Sequence, residues 1–221
     1  GQLFMVAAYS NKTEKHTKEI ELLITKSGIG GLIFFQGGPV RQANLTNHYQ
    51  QLSKVPLMIG MDAEWGLGMR LDSTLSFPKQ MTLGAIQDNT AIYAMGKEIA
   101  RQCRRIGVHI NFAPVVDVNS NPLNPVIGMR SFGENKYEVA NKGVAYMKGM
   151  QDHYVMACAK HFPGHGDTES DSHLSLPILT HDKKRLNDVE WYPFKQLIKD
   201  SLMSLMVGHI HVPSLDNRQN M

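Results

Sequence analysis

Six short apolar runs, separated by segments of helical periodicity, constrain the fold of this chain more than any other feature of its sequence. The runs span residues 3–9, 31–35, 56–62, 108–118, 155–162 and 202–212. Short runs that are apolar at consecutive positions are typical of strands buried on both faces of a parallel sheet. Apolar residues spaced by three or four predict helices at 14–26, 90–106, 136–151 and 188–200, where Pro193 marks a start or a kink. This alternation of strands and helices predicts a parallel α/β fold.

Two parallel architectures fit this pattern, an open doubly wound sheet and a closed (β/α)8 barrel of the TIM type. No glycine-rich phosphate-binding loop follows any predicted strand, which weakens the nucleotide-binding sheet. Polar side chains instead follow the strands in pairs, namely Asp62 and Glu64, Asp117 and Asn119, Lys160 and His161, and His209 and His211. Polar residues at the carboxyl ends of many strands are typical of barrel enzymes. We therefore predict an incomplete barrel with about six of eight βα units, whose open edges favour association.

Composition narrows the classes of partner. Hydrophobic residues make up 42% of the 221 residues, enough for a folded core, and the formal net charge is only +3. The basic residues form no stripe with interleaved aromatic side chains, so nucleic-acid binding is not expected. No apolar run approaches the roughly 20 residues that span a bilayer. We expect no membrane span and no cofactor.

The segment "AKHFPGHGDTESDSH" (159–173) concentrates ionisable residues after the fifth apolar run. It is consistent with a metal site, a polar surface loop or a catalytic loop. Its prolines and glycines prevent the helix that would align two histidines, so we expect no metal site. Asp171 and His173 are two residues apart and point the same way in an extended chain. A carboxylate beside an imidazole fixes its tautomer and favours its protonated form, which indicates a general acid.

The stretch "KHFPGHGDTESDSHLSLP" (160–177) resembles the signature of the β-N-acetylhexosaminidases of glycoside hydrolase family 3. Further stretches resemble the family in the same order: "GLIFFQGG" (31–38), "DAEWGLGMRL" (62–71), "FAPVVDVNSNPLNPVIGMRSFGEN" (112–135) and "VGHIHVPSLD" (207–216). The resemblance implies one domain over residues 1–221, the N-terminal barrel domain of a Bacteroidetes-like member, truncated on its C-terminal side. It implies a bacterial protein, with a periplasmic or secreted location favoured over a cytoplasmic one.

The resemblance also implies an activity and its residues. Members remove terminal β-linked N-acetylglucosamine with retention, here from peptidoglycan- or chitin-derived glycans. His173 would be the general acid/base and Asp171 its orienting partner. The residues expected to bind the carbohydrate substrate are Asp62, Arg70, Arg130, Lys160 and His161. His209 and His211 alternate along a strand, so only one can face the barrel centre, and we expect His209 to line the site. Glu64 is expected to be structural, and His165 to brace its loop.

The family's nucleophile is an aspartate after the seventh strand, in a stretch that resembles S-D-D-L or T-D-A-L, and no such stretch occurs here. We therefore expect a truncated chain that is inactive alone, with the nucleophile beyond Met221. Two alternatives remain. A glycoside phosphorylase would use the same histidine, because a neutral imidazole does not repel phosphate. A non-catalytic sugar-binding protein would use the binding residues without a nucleophile.

Overall fold

Six parallel strands form an open half-barrel in which each strand pairs with the next along the chain. A computed structural model describes residues 1–168, 176–216 and 218. Within them the strands are β1 (Met5–Ala8), β2 (Gly31–Phe34), β3 (Met58–Met61), β4 (Ile110–Asn111), β5 (Met156–Phe162) and β6 (Ser204–Val207). The predicted α/β class and the incomplete TIM-type barrel are thereby confirmed.

At least one helix follows each of the first five strands and returns the chain to the amino-terminal edge of the sheet. The helices are α1 (Glu14–Leu22), α2 (Pro39–Leu52), α3 (Gln80–Gly84), α4 (Asn89–Arg105), α5 (Lys136–Gln151), α6 (Lys183–Arg185) and α7 (Trp191–Lys199). Wider helical turns extend α1 to Ser27 and join α6 to α7. The four predicted helices are confirmed. None of the helices in the described part of the chain is long and apolar enough to cross a membrane.

Helix α2 is absent from the prediction because the face that it buries is polar. Its buried side chains are Gln42, Thr46 and Tyr49, at helical spacing. A search for apolar periodicity cannot detect a helix whose inward positions carry an amide, a hydroxyl and a phenol.

The fourth predicted strand is much shorter than its apolar run. Only Ile110–Asn111 forms a regular ladder, although the run extends over residues 108–118. Pro114 cannot donate to a ladder. Beyond it, the side chain of Gln80 takes the place of a neighbouring strand: its Nε2 donates to Val115 O at 2.7 Å, and its Oε1 accepts from Val115 N at 3.2 Å. The prediction of a long fourth strand is therefore wrong.

The strand registers align the last residues of β3 and β4 with the beginning of β5, which continues to Phe162. Met61 is paired with Asn111, and Asn111 with Ala157. Parallel strands present their carboxyl ends at the same edge, so the residues that follow these positions meet there. The loop after β3 is held further by Asn111, whose Oδ1 accepts from Ala63 N at 2.9 Å.

Candidate active site

A cleft of about 440 Å³ opens at the carboxyl ends of the strands. All six residues predicted to bind substrate line it: Asp62, Arg70, Arg130, Lys160, His161 and His209. They follow or end β3, β5 and β6, except for the two arginines, which come from the loops after β3 and β4. The structure therefore brings together residues that the sequence distributes over nearly 150 positions.

An ion-pair network forms one wall of the cleft. Lys160 Nζ lies 2.8 Å from Asp62 Oδ1 and 2.8 Å from Glu64 Oε1, so it bridges the two carboxylates. Arg70 Nη2 donates to Asp62 Oδ2 at 2.6 Å. Arg130 donates two hydrogen bonds to Glu64, from Nη2 to Oε1 at 2.7 Å and from Nε to Oε2 at 3.0 Å. The planar fork of an arginine suits this bidentate geometry and fixes both side chains.

Burial sorts the network into two layers. The side chains of Glu64 and Lys160 are only 1% and 3% exposed, whereas those of Asp62, Arg70 and Arg130 are between 14% and 23% exposed. The partly exposed layer can touch a ligand. The buried pair supports that layer from beneath.

The carboxylates of the network stay charged despite their burial. Desolvation alone would raise the pKa of Glu64, but Lys160 and Arg130 outweigh it and bring that pKa to about 2. For Asp62, too, burial opposes ionisation and is outweighed by Lys160 and Arg70, so its pKa lies below the ordinary value. Burial would lower the pKa of Arg130, yet the carboxylate of Glu64 raises it. All of these groups are thus ionised at neutral pH.

Asp117 fixes the orientation of His161. Its carboxylate has no exposed surface and contacts His161 Nδ1 at 2.7 Å. It also accepts the backbone N–H groups of His161 at 3.1 Å and His165 at 2.7 Å. Burial would raise the pKa of Asp117, but His161 and these N–H donors hold it below the ordinary value. A buried carboxylate with this many donors is a rigid anchor.

Two contacts orient the ring of His161. Nδ1 donates to the Asp117 carboxylate, and Nε2 lies 3.5 Å from Arg130 Nη2. Both His161 and Arg130 line the cleft, so this contact places the two side chains side by side in it.

The loop after β5 is braced at its beginning. His165 is buried, and burial lowers its pKa. Asn124 Nδ2 donates to the carbonyl groups of His165 at 2.7 Å and Thr168 at 2.9 Å. The predicted acid/base pair, Asp171 and His173, lies outside the described residues.

For two residues of the site, the sequence did not indicate which side chains they contact. Glu64 was expected to be structural, and the structure places it beneath the cleft as the partner of Arg130 and Lys160. Asp117 was noted at a strand end without a role. In the sequence, the same feature points to both residues, a carboxylate close after or at the end of an apolar run. The sequence does not show which side chain each carboxylate contacts.

In the described part of the chain, no three His, Cys, Asp or Glu side chains converge in a way that could hold a metal ion. A larger cavity of about 840 Å³ is lined by residues 120–122, Asp167, Leu176 and residues 178–181. None of its described lining residues lines the cleft.

Comparison with known proteins agrees with this geometry. The family model described as the glycosyl hydrolase family 3 N terminal domain matches residues 1–220. A relative, β-hexosaminidase A of Pseudoalteromonas piscicida, is 40% identical over 213 residues, which are 90% of this chain and 36% of that protein. The chain thus spans little more than a third of that relative.

Two solved structures illustrate the similarity of the fold. A family 3 β-N-acetylglucosaminidase from Paenibacillus superposes with a TM-score of 0.91 at 36% identity, over 99% of this chain and 43% of that one. A β-glucoside phosphorylase superposes with a TM-score of 0.90 at 25% identity, over 97% of this chain and 38% of that one.

Proposed function

Since this chain belongs to glycosyl hydrolase family 3, we propose that it is the sugar-binding domain of a retaining glycosidase. Its substrate would be terminal β-linked N-acetylglucosamine in peptidoglycan- or chitin-derived glycans. The observation that carries the proposal is the balanced charge at the cleft. Asp62 and Glu64 contact Arg70, Arg130 and Lys160 there, and Asp117 lies buried behind His161, so three carboxylates balance three cations. A hexosamine is neutral and rich in hydroxyl groups, so it needs many hydrogen-bonding partners and no net charge. The names of two relatives support the N-acetylated sugar.

In this proposal the partly exposed layer of the network holds the sugar. Each oxygen of Asp62 accepts one hydrogen bond from within the protein, which leaves lone pairs for two neighbouring hydroxyl groups. Arg70 and Arg130 carry further N–H groups that can donate. His161, which lines the cleft beside Arg130, can hydrogen-bond a further hydroxyl. The network is assembled before the sugar arrives, so binding requires little ordering of these side chains.

The chemical step is proposed from the sequence. His173, oriented by Asp171, would protonate the glycosidic oxygen as the bond to the anomeric carbon breaks, and would then deprotonate the attacking water. A retaining reaction also needs a carboxylate nucleophile. It forms a bond to the anomeric carbon as the glycosidic bond breaks and is displaced by the attacking water.

The proposal is tested with the longest natural protein that contains this chain. It should hydrolyse 4-nitrophenyl N-acetyl-β-glucosaminide, and Asp62→Asn should lower kcat/KM by about 100-fold, because two charge-assisted hydrogen bonds are lost. The control is Asp72→Asn, which removes a surface partner of Arg41 and should leave turnover unchanged. Binding of N-acetylglucosamine without turnover would support the non-catalytic alternative.

The same assay distinguishes hydrolysis from phosphorolysis. The structural similarity to a β-glucoside phosphorylase makes this second candidate worth testing. A phosphorylase would release a sugar phosphate at a rate that rises with phosphate concentration. A hydrolase would release the free sugar at a rate independent of phosphate, as we expect from a cleft with balanced charge.

A further inference from the structure

A second carboxylate–histidine contact, outside the cleft, joins two parts of the chain on either side of the predicted acid/base pair. His181 Nε2 lies 2.6 Å from Asp167 Oδ2. Asp167 comes four residues before Asp171, and His181 comes eight residues after His173. The contact therefore connects the beginning and the end of the stretch that carries the proposed acid and its partner.

Each end of that stretch is anchored to a different part of the fold. At the beginning, Asn124 binds the carbonyl groups of His165 and Thr168. At the end, Leu179 packs in a small separate core with Leu186 and Val212. Within the described residues, the Asp167–His181 contact is the one side-chain hydrogen bond between the segments 163–168 and 176–181. It sets the distance between the two anchors.

Glu190 supports this contact from beneath. Its Oε1 atom lies 4.0 Å from His181 Nε2 and accepts from Arg185 Nε at 3.2 Å. The aliphatic part of its side chain packs against Gly164. A Cβ atom built on that glycine would lie 2.7 Å from Glu190 Cβ, too close for a larger residue. Glu190 is buried and touches both the beginning of the stretch and the histidine at its end. Two carboxylates thus lie near the same ring atom of His181, with Asp167 at hydrogen-bond distance and Glu190 farther away.

We propose that Asp167 and His181, supported by Glu190, are positioning residues for the acid/base pair. The inference rests on the proposed function, in which His173 must come within hydrogen-bond distance of the glycosidic oxygen. A displacement of about 1 Å in such a group can cost about 100-fold in rate. Tying the ends of a loop reduces the number of conformations that it samples. The contact would thus act on the chemical step and leave sugar binding nearly unchanged.

The test compares His181→Ala, His181→Gln and a matched control in the longest natural protein. Glutamine retains a donor where Nε2 lies. The control is His48→Ala, which removes a similar contact of 2.7 Å between His48 and Glu21 on the outer helices. With diacetylchitobiose, whose leaving group needs protonation, His181→Ala should lower kcat about 10- to 100-fold and change KM less than about 2-fold. The kcat of His181→Gln on this substrate should stay within about 3-fold of the wild-type value. The kcat of His48→Ala should equal the wild-type value.

A second substrate separates positioning from general damage. The 2,4-dinitrophenyl glycoside of the same sugar has a leaving group that departs without protonation. Its kcat/KM reports the step that breaks the glycosidic bond, so His181→Ala should lower that kcat/KM by less than about 3-fold. Equal losses of kcat/KM on both substrates, or an unchanged kcat on diacetylchitobiose, would overturn the inference.

Hydrogen exchange gives a readout that does not depend on turnover. In His181→Ala, the amides of residues 164–168 should exchange faster than in the wild type and in His48→Ala, because one of their anchors is lost. Unchanged exchange there would contradict the inference. If the wild type cleaves neither substrate, the proposed function fails, and exchange alone decides whether the contact holds the stretch.

Discussion

Glu64 is a buried carboxylate that remains ionised because two cations reach it. Lys160 and Arg130 satisfy both of its oxygens. Removing one member of a buried ion pair leaves an uncompensated charge and costs about 3–5 kcal/mol. The energetic importance of Glu64 therefore lies in keeping Arg130 and Lys160 in place for a ligand.

The pKa of Glu64 predicts how stability depends on pH. The folded protein lowers that pKa from its ordinary value to about 2, so ionised Glu64 stabilises the fold above the unfolded-state pKa. That contribution is lost as the pH falls from about 5 towards 2. We expect Glu64→Gln to be much less stable than the wild type near neutral pH, and the difference to shrink as the pH approaches 2. Urea unfolding at several pH values measures it.

Glu98 provides the control for this prediction. Its pKa is also lowered to about 2, by hydrogen bonds from Arg101 and Gln102, but it lies on the surface of α4. Solvent screens such a pair, so Glu98→Gln should change stability little at any pH. If the difference in unfolding free energy between the wild type and Glu64→Gln were independent of pH, the ionisation of Glu64 would not be its cause.

At the scale of elements, α5 holds the loop after β3 from outside the sheet. Tyr146, buried on α5, donates its hydroxyl to the carbonyl groups of Ala63 at 3.1 Å and Glu64 at 3.0 Å. Helix α5 itself crosses α4 at close range, because an added Cβ atom on Gly149 would come within 2.2 Å of Tyr93 O. The position of Glu64 thus depends on the packing of two helices that do not line the cleft.

Removing one hydroxyl group tests this support. We expect Tyr146→Phe to lower the free energy of unfolding by about 1–3 kcal/mol, because the carbonyl group of Glu64 loses this donor, whereas that of Ala63 keeps Asn111 Nδ2. It should also weaken binding of N-acetylglucosamine, since the backbone of Glu64 is no longer fixed. Tyr137→Phe, on an exposed part of the same helix, should change neither. Denaturation and calorimetric titration measure the two effects, and normal sugar binding by Tyr146→Phe would exclude the link to the cleft.

At the scale of the whole molecule, the half-barrel has two edges in its described part, β1 and β6. Exposed apolar side chains lie beside both. Leu3 and Phe4 precede β1, Met203 precedes β6 and Val207 is its last residue, and all four are more than 60% exposed. Unpaired strand edges with exposed apolar residues favour pairing with another chain.

We predict that this 221-residue chain self-associates through those edges. Val207→Lys should reduce association, because a lysine on an edge strand opposes strand pairing. Val40→Lys, at a similarly exposed position on α2, is the control and should behave like the unaltered chain. Sedimentation velocity over a range of concentrations measures the difference. A monomeric chain, or equal effects of the two substitutions, would show that the edges are not the interface.

Periodicity in the sequence was sufficient to predict the class of fold and the edge of the sheet where the site lies. Apolar runs and helical spacing are local properties, so the alternation of strands and helices could be predicted without knowing any contact. Where the local pattern was unusual, prediction failed: α2 buries polar residues, and Gln80 replaces a strand beside Val115.

The sequence by itself determined which residue types gather at the carboxyl ends of the strands, and hence the chemistry available there. Only the tertiary structure decided which of them pair. Lys160 meets Asp62 across 98 positions, Arg130 meets Glu64 across 66, and His161 meets Asp117 across 44. These pairings follow from the order and register of the strands, which arise from packing over the whole sheet and leave no local pattern in the chain. The orientation of His161 and the burial of Glu64 depend on those pairings.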